Sequence, residues 1–505
     1  METEIELKFL VSADFSPYLR NKISQKKLLQ HSCKELQNTY FDTPDHWLRQ
    51  HDIGLRIRRF DDVFVQTVKT AGRVVAGLHQ RPEYNAEHTN NIPDLTLHPE
   101  DIWPTDREVS VAQEALVPLF TTNFTREQWL VAMEDGSQIE VAFDLGSVVS
   151  GDKQVPICEV ELELRSGQTD ALFSLARIIC EQGNTRLGNV SKAAKGYRLA
   201  LGAPCGKAKS LALVKTSQTD SIESCFINSL EHALKHWQYH EQIYFEQPQV
   251  EALLQVRHAV SFTRQILSTF SSVVPRKASA ILRQELKWLE NELEWLDDSV
   301  YLEQLTAEKG HALRKLDARK PILHDLQEQY QQLPSPDEIK SLISSSRYTG
   351  LLLDLSRWVL TRGWRPFLDD KSAAEMSTNV YSFAVRQLDR AWGELSEKFM
   401  PELSLSRPEY IEHKALLRRN LYTGISFASL FDVEERDQYR LPWADLLQGI
   451  DDLLMLEPME KQLSNLEGEE KVQLEKWLYR KESSILHAME QTRQICLEAT
   501  RYWQH

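Results

Sequence analysis

The sequence predicts an α+β chain in which a β-barrel precedes a domain made of helices alone. Three observations carry this. Several segments before residue 201 alternate charged and apolar residues, the period of a strand with one polar face. From Ser221 onward, leucines recur at three- and four-residue spacing, the period of a helix with one buried face. Between them, GAPCGKAKSLALVKTSQTD at 202–220 keeps neither period and reads as a linker.

Taken in order, EIELKFL opens the chain as a strand, and residues 14–30 are expected to be helical. GLRIRRF and FVQTVKT are strands joined by a hairpin turn at Asp61–Asp62. GRVVAGLHQRPEY continues the β pattern, 85–105 reads as loop, and a short helix is expected near 110–119. QIEVAFDLG and PICEVELELR are strands, with a further turn at Asp135–Gly136, and 169–182 has helical spacing. Leu282, Leu286, Leu289, Leu293 and Leu296 mark a helix of the second region. Comparable segments cover 221–243, 248–273, 302–331, 336–361, 374–399, 408–430, 442–464 and 468–502, with breaks at Pro275, Pro334–Pro336, Gly363–Pro366, Pro401 and Pro442. The expected division is a barrel domain at 1–201, a linker at 202–220 and a helical domain at 221–505, built as two stacked bundles.

The chain of 505 residues is 42% hydrophobic and 26% charged, ordinary values for a globular protein. No run of about 18 apolar residues exists, so no transmembrane helix and no membrane partner are expected. METEIELKFL has neither a basic start nor an unbroken apolar stretch, so no secretory leader is expected and the expected location is cytoplasmic. The six cysteines form no CxxC pair. A net charge of −15 argues against general nucleic-acid binding but leaves room for a basic pocket. Residues 1–220 hold 25 Lys+Arg against 30 Asp+Glu, and residues 221–505 hold 34 against 44, so the helical half is the more acidic.

The charged faces carry the chemistry. In EIELKFL, Glu4, Glu6 and Lys8 share one face, and in CEVELEL so do Glu159, Glu161 and Glu163. Three neighbouring carboxylates repel, so something cationic must meet them, and hard divalent ions take such oxygens. Asp144, ending VAFD, could join them. Arg56 with Arg58, Lys69, Arg81, and Lys192, Lys195 and Arg198 in SKAAKGYR supply the opposite sign. A closed barrel with a charged lumen and apolar residues facing outward explains all of these strands together. Carboxylates on one side and forked arginines on the other suit a metal-chelated polyphosphate.

At this point the sequence resembles the CYTH superfamily, the triphosphate tunnel metalloenzymes. Glu4–Ile5–Glu6–Leu7–Lys8 matches its ExExK signature. Further matches run in order: NTYFDTPD, GLRIRR, the lysine of VQTVKT, RPE, FTREQW, FDLG, EVELEL and SKAAKGY, where Lys195 stands in place of a frequent arginine. The match spans essentially residues 1–200. It implies an antiparallel eight-stranded tunnel that hydrolyses inorganic triphosphate to phosphate and pyrophosphate with Mg²⁺ or Mn²⁺. The resemblance implies Glu4, Glu6, Asp144, Glu159, Glu161 and Glu163 as metal ligands. It implies Lys8, Arg56, Arg58, Lys69, Arg81, Arg126, Arg186, Lys192 and Lys195 as the phosphate grip. Lys8, Glu4, Glu6, Arg56 and Arg58 form the expected catalytic set. Adenylate cyclase chemistry, thiamine or nucleoside triphosphate hydrolysis, and polyphosphate binding without turnover are the alternatives.

The helical half resembles the CHAD domain, in SSRYTGLLLDLSRWV and LLRRNLYTGISF. Its polyphosphate-binding motif is eroded: in LLQVRHAVSFTRQ, Arg257 is kept while Leu254, Ser261 and Phe262 replace histidine and paired arginines. Weak binding of long-chain polyphosphate is therefore expected there, and the partner of this domain is left open. His232, His236 and His240 share a helix face but are expected to be structural, and the tryptophans at helical spacing to be core.

Overall fold

A computed structural model describes residues 2–75, 77–310 and 313–504. The chain divides into two compact units: residues 1–206 with 339–361, and residues 207–338 with 362–505.

The first unit is a closed antiparallel barrel. Its strands are β1 (Glu2–Leu10), β2 (Lys27–Asp42), β3 (Gly54–Phe60), β4 (Val63–Lys69), β5 (Arg73–Val75), β6 (Leu78–His88), β7 (Val117–Ala132), β8 (Gln138–Ser150), β9 (Lys153–Ser166) and β10 (Arg186–Leu187). The order β1-β9-β8-β7-β2-β3-β4-β6 returns to β1, which pairs with β9 on one side and β6 on the other. These eight strands close the ring, and the short β5 and β10 sit on β6 and β1. Closure removes every free sheet edge among the eight.

Alternation decides the two faces. Leu7, Phe9, Leu55, Ile57, Val68, Val141, Val160 and Leu162 are fully or almost fully buried facing outward. They meet covering elements: Trp47, Leu48, Leu95 and Trp103 pack over β3 and β4, and the amphipathic α-helix Thr169–Cys180 lays Leu172, Leu175 and Ile179 on the barrel wall. The opposite face carries the charges. At one end this inner face turns apolar, with Leu36, Tyr40, Phe120, Phe124, Val148 and Ile157, and there it receives Tyr197 of the helix Lys192–Ala200. Gly196 permits the approach: a Cβ there would stand 2.0 Å from the Phe120 ring.

Two sequence expectations shift in this unit. The expected helix over 14–30 ends at Ser24, and Lys27 already belongs to β2, a 16-residue strand. β2 pairs with β7 along nearly its whole length, and that ladder overrides the helix-like Leu28–Leu29. β6 runs to His88, into the stretch read as loop.

The helix Ser346–Leu360 also belongs to the first unit, although its position in the sequence placed it in the helical domain. Thr349 Oγ1 donates to the Thr185 carbonyl at 2.6 Å, and Arg357 Nε pairs with Asp170 at 2.6 Å. Gly350 lets the Arg177 side chain cross it closely.

The second unit is helical. Phe226, Phe270, Phe383 and Phe427 pack in one core with tilted and edge-on rings. Leu302, Leu316, Leu326, Met459, Leu474 and Leu478 form another. Pro442 does not break the chain as expected: the helix Val433–Leu454 runs through it. Tyr439, Trp443, Leu446 and Ile450 are buried on the face beside the proline, and their packing holds the helix across the missing N–H. Among the described residues, no helix is long and apolar enough to cross a membrane.

Candidate active site, a charged tunnel

Strand register brings the charges into rows. Glu163 on β9 stands opposite Glu6 on β1 and opposite Glu140 on β8, so three carboxylates cross three neighbouring strands. One step along, Glu161 faces Lys8. A further step gives Glu159 opposite Asp144, which faces Arg126 on β7. The cavity enclosed has a volume of about 580 Å³, and its wall includes Glu4, Glu6, Lys8, Arg56, Arg58, Lys69, Arg81, Arg126, Glu161, Glu163 and Lys192.

Asp144, Glu159 and Glu161 lie deepest, with carboxylate oxygens within 4.8 Å of one another. Four cations meet them. Lys8 Nζ lies 2.7 Å from Glu161 and 3.1 Å from Glu159. Lys192 Nζ reaches Asp144, Glu159 and Glu161 at 2.6, 2.5 and 2.9 Å. Arg126 donates to Asp144 at 2.7 Å and 2.6 Å, a fork that fixes its plane, and also meets Glu161. Lys195 closes on Glu159 at 3.1 Å. Burial works against all these charges, but the cations outweigh it: Glu159 is held down to about 2 by Lys192, Lys8 and Lys195. Glu161 is likewise held well below its ordinary value. Burial also opposes the Lys8 charge, and Glu159 and Glu161 more than offset it.

The Glu6–Glu163–Glu140 row is different. Burial and then Glu161 push the Glu6 carboxyl up, against the opposing pull of Lys8. Glu163 is pushed up to about 8, first by burial and then, despite Arg165, by Glu4, Glu140 and Glu6. Arg165 reaches both Glu140 and Glu163 at 2.6 Å, and Lys8 reaches Glu6 only at 3.7 Å. This row holds more negative charge than its cations cancel. Carboxylates opposed in register on three strands offer the oxygen donors that a hard divalent cation takes, although the carboxylates whose oxygens lie within 4.8 Å of one another are Asp144, Glu159 and Glu161.

On the facing wall one residue, Arg58, shows the opposite imbalance, while Arg56 and Lys69 are, against burial, held charged by Glu83 and Glu4. Arg58 is pulled down to about 9 by burial and then by its like-charged neighbours Arg56 and Arg126. A guanidinium stays protonated regardless, so the direction records a crowd of positive charge. Arg58 Nε donates to Asn38 Oδ1 at 2.9 Å, and Asn38 in turn donates to Thr122. Arg56 Nε and Arg81 Nε are buried without an acceptor among the described residues. Lys69 Nζ sits 2.5 Å from Glu4 and 2.9 Å from Glu83.

The helix carrying Lys192 is positioned by short-range features of SKAAKGY. Ser191 caps it, accepting from Ala194 N at 3.1 Å. Tyr197 donates to Asp42 Oδ2 at 2.9 Å, and the same carboxylate accepts from the backbone of Thr43, Leu48 and Arg49. The NTYFDTPD and SKAAKGY segments are therefore one hydrogen-bonded support.

Most expected site residues come together. Asp144, Glu159 and Lys195 lie beyond the cavity wall: Asp144 and Glu159 are bonded to Lys192, which forms part of it, and Lys195 is bonded to Glu159. Arg186, on β10 opposite Leu10, is buried and is not part of that wall. Glu140, Arg165 and Asn38 were missed. Glu140 shares its strand face with Asp144, and Arg165 shares its face with Glu163, so strand parity could have found both.

In the helical unit, His232 meets the Ala212 carbonyl at 2.8 Å, His236 meets Gln255 at 3.0 Å, and His240 accepts from Lys209 N at 3.1 Å. Their ring nitrogens have structural partners. Arg257 pairs with Asp297 at 3.0 Å, and Ser261 donates to Glu290 at 2.6 Å.

The CYTH domain family model matches residues 2–197, and the CHAD domain family model matches residues 228–455. An inorganic triphosphatase of Haemophilus influenzae is 37% identical over 199 residues, which cover 39% of this chain and 55% of that protein. The chain thus spans about half the length of this curated relative. Among solved structures, the CHAD domain of the plant Ricinus communis is 20% identical with a TM-score of 0.43, covering 60% of this chain and 99% of that one. A Hippeastrum protein described as an adenylyl cyclase with a dominant triphosphatase activity is 18% identical with a TM-score of 0.29, covering 39% of this chain and 96% of that one. The chain therefore carries a CYTH domain at residues 2–197 and a CHAD domain at residues 228–455.

Proposed function

We propose that the tunnel hydrolyses inorganic triphosphate to phosphate and pyrophosphate with a divalent cation, Mg²⁺ or Mn²⁺. The observation that carries this is the split inside one cavity: an under-neutralised acidic row on β1, β8 and β9, and on β3 an Arg58 crowded by Arg56 and Arg126. A metal–triphosphate complex offers each side its missing partner.

Glu4, Glu6, Glu161 and Glu163 would hold the cation. A divalent ion there supplies neutralisation of the phosphoanhydride oxygens. Asp144 and Glu159 have a second role: they hold Lys8, Lys192 and Arg126 in place at the lumen wall. Arg56, Arg58, Arg81 and Arg126 present guanidinium donors to phosphate oxygens, and Lys8, Lys69 and Lys192 present ammonium groups. Water attacks a terminal phosphorus, one P–O bond forms, the phosphoanhydride bond breaks, and its electron pair leaves on pyrophosphate. Such a transfer needs mainly positioning and charge stabilisation, which fixed buried charges provide.

The test is phosphate release by the full chain from tripolyphosphate, ATP and thiamine triphosphate, each with Mg²⁺ or Mn²⁺. The proposal expects a kcat/KM for tripolyphosphate at least tenfold above the others. Preference for ATP or thiamine triphosphate would place the activity with organic triphosphates, and binding without phosphate release would make the tunnel a receptor.

A further inference from the structure

The helical unit holds a second group of buried charges, independent of the tunnel. Arg436, Tyr439, Arg440 and Trp443 lie on the helix Val433–Leu454 at positions i, i+3, i+4 and i+7, so one helix face presents all four. They line one small cavity with Tyr502 and Trp503. Arg436 Nη1, Tyr439 Oη, Arg440 Nε and Trp443 Nε1 are each buried and have no hydrogen-bond partner among the described residues. Arg436 is 6% exposed, Tyr439 7% and Trp443 1%.

Unmet buried donors are costly, and four around one cavity require a common explanation. Guanidinium and indole N–H groups cannot accept, so the two arginines and Trp443 can only donate. Trp443 lies within reach of the Tyr439 hydroxyl and can donate to it, yet both guanidinium hydrogens remain. Nearby carboxylates are committed elsewhere. Asp437 takes Nε and Nη2 of Arg436 and leaves Nη1. Asp389 takes the other indole, Trp503 Nε1, at 2.8 Å. Arg440 has no ion-pair partner among the described residues, so its side chain leaves one positive charge without a counter-charge.

We propose that this cavity binds one monovalent anion of halide size, chloride in the first instance. The cavity volume of about 20 Å³ admits a single occupant near the size of water and excludes phosphate or any organic anion. A water molecule accepts two hydrogen bonds and must donate two, and this donor set gives it too many hydrogens and too few acceptors. A halide accepts from both guanidinium groups and from the Tyr439 hydroxyl, and meets the charge of Arg440. The apolar and aromatic remainder of the wall, including Leu388, Leu395 and Ile425, suits a weakly hydrated anion. The anion would tie the Val433–Leu454 helix to the chain end at Tyr502–Trp503.

The test uses the full chain. A crystal soaked in bromide, measured at the bromine edge, should show one anomalous peak bounded by Arg436, Tyr439, Arg440 and Trp443. In solution, chloride or bromide should raise the melting midpoint of the helical unit by roughly 2–4 °C over gluconate at equal ionic strength. Gluconate cannot enter a cavity of this size. Arg440→Gln, at a half-buried position, should remove this shift, and Tyr439→Phe should reduce it. Halide binding in the tunnel would raise the midpoint in these variants equally, so an undiminished shift in Arg440→Gln overturns the proposal. Absence of the bromide peak, or a water in its place at saturating bromide, also overturns it.

Discussion

Glu6 on β1 and Glu163 on β9 face each other across an antiparallel ladder, and both carboxyls are pushed above their ordinary range. Like charges at directly opposed positions destabilise a sheet. A closed barrel that keeps this pair does so at a cost in stability.

That cost has a pH signature. Glu163 rises from 4.5 to about 8 on folding, so the native state holds its proton more tightly. Its contribution to stability is complete below about 4.5 and is lost as pH rises through about 8. Glu163→Gln mimics the protonated form. In EDTA it should melt higher than the natural protein at pH 8.5, by an amount equivalent to about 1 kcal/mol, and the margin should shrink towards pH 5. Millimolar Mg²⁺ should stabilise the natural protein and not the variant. A margin independent of pH would show that Glu163 is ionised throughout.

On the opposite wall, Arg58 is crowded by Arg56 and Arg126. Arg58→Gln removes one of these like charges and keeps a donor toward the lumen. The expected result is an unchanged or higher melting midpoint with a KM for tripolyphosphate raised roughly 10- to 100-fold, the loss of one charge-assisted contact or two. Steady-state kinetics and a melting curve on the same preparation check both halves.

Gly196 is the contact point between the Lys192 helix and the barrel. Gly196→Ala would drive a Cβ into the Phe120 ring. It should destabilise the first unit by about 1–3 kcal/mol and, by displacing Lys192 from Asp144, Glu159 and Glu161, lower kcat as well. Chemical denaturation followed by Trp129 and Trp47 fluorescence would report the first effect.

The lumen was legible because strand parity is local: Glu4, Glu6 and Lys8, or Glu159, Glu161 and Glu163, declare one face within a few residues. What escaped was set by distant partners. The β2 segment KLLQHSCKELQNTYFD shows little alternation at its start, and only its ladder with β7 makes it a strand. Nothing local in SRYTGLLLDLSRWVL reveals that its buried face belongs with the barrel, some 150 residues earlier in the chain. Which carboxylates stay under-neutralised was equally hidden, because that depends on where Lys8, Lys192 and Arg126 reach in space.

The same helix changes what truncation should do. A chain ending near Thr216 keeps every tunnel residue and loses residues 339–361, which pair with Asp170 and Thr185. It should melt well below the first unit of the full chain and aggregate, because the Thr169–Cys180 helix loses part of its cover. Joining residues 339–361 to it through a flexible linker should restore the midpoint. If the chain ending at Thr216 matches the full protein in stability, the helix contributes nothing to this unit.

In the proposed reaction one tunnel brings an acid-held cation and an arginine-held triphosphate together. The most direct measurement is the rate of phosphate release from tripolyphosphate by the full chain, titrated with Mn²⁺ and then with EDTA, for the natural protein and Glu6→Gln. The account predicts saturable, metal-dependent release that EDTA abolishes and added Mn²⁺ restores, with Glu6→Gln at least 100-fold slower and still folded. Undiminished release in excess EDTA, or natural rates in folded Glu6→Gln, would contradict it.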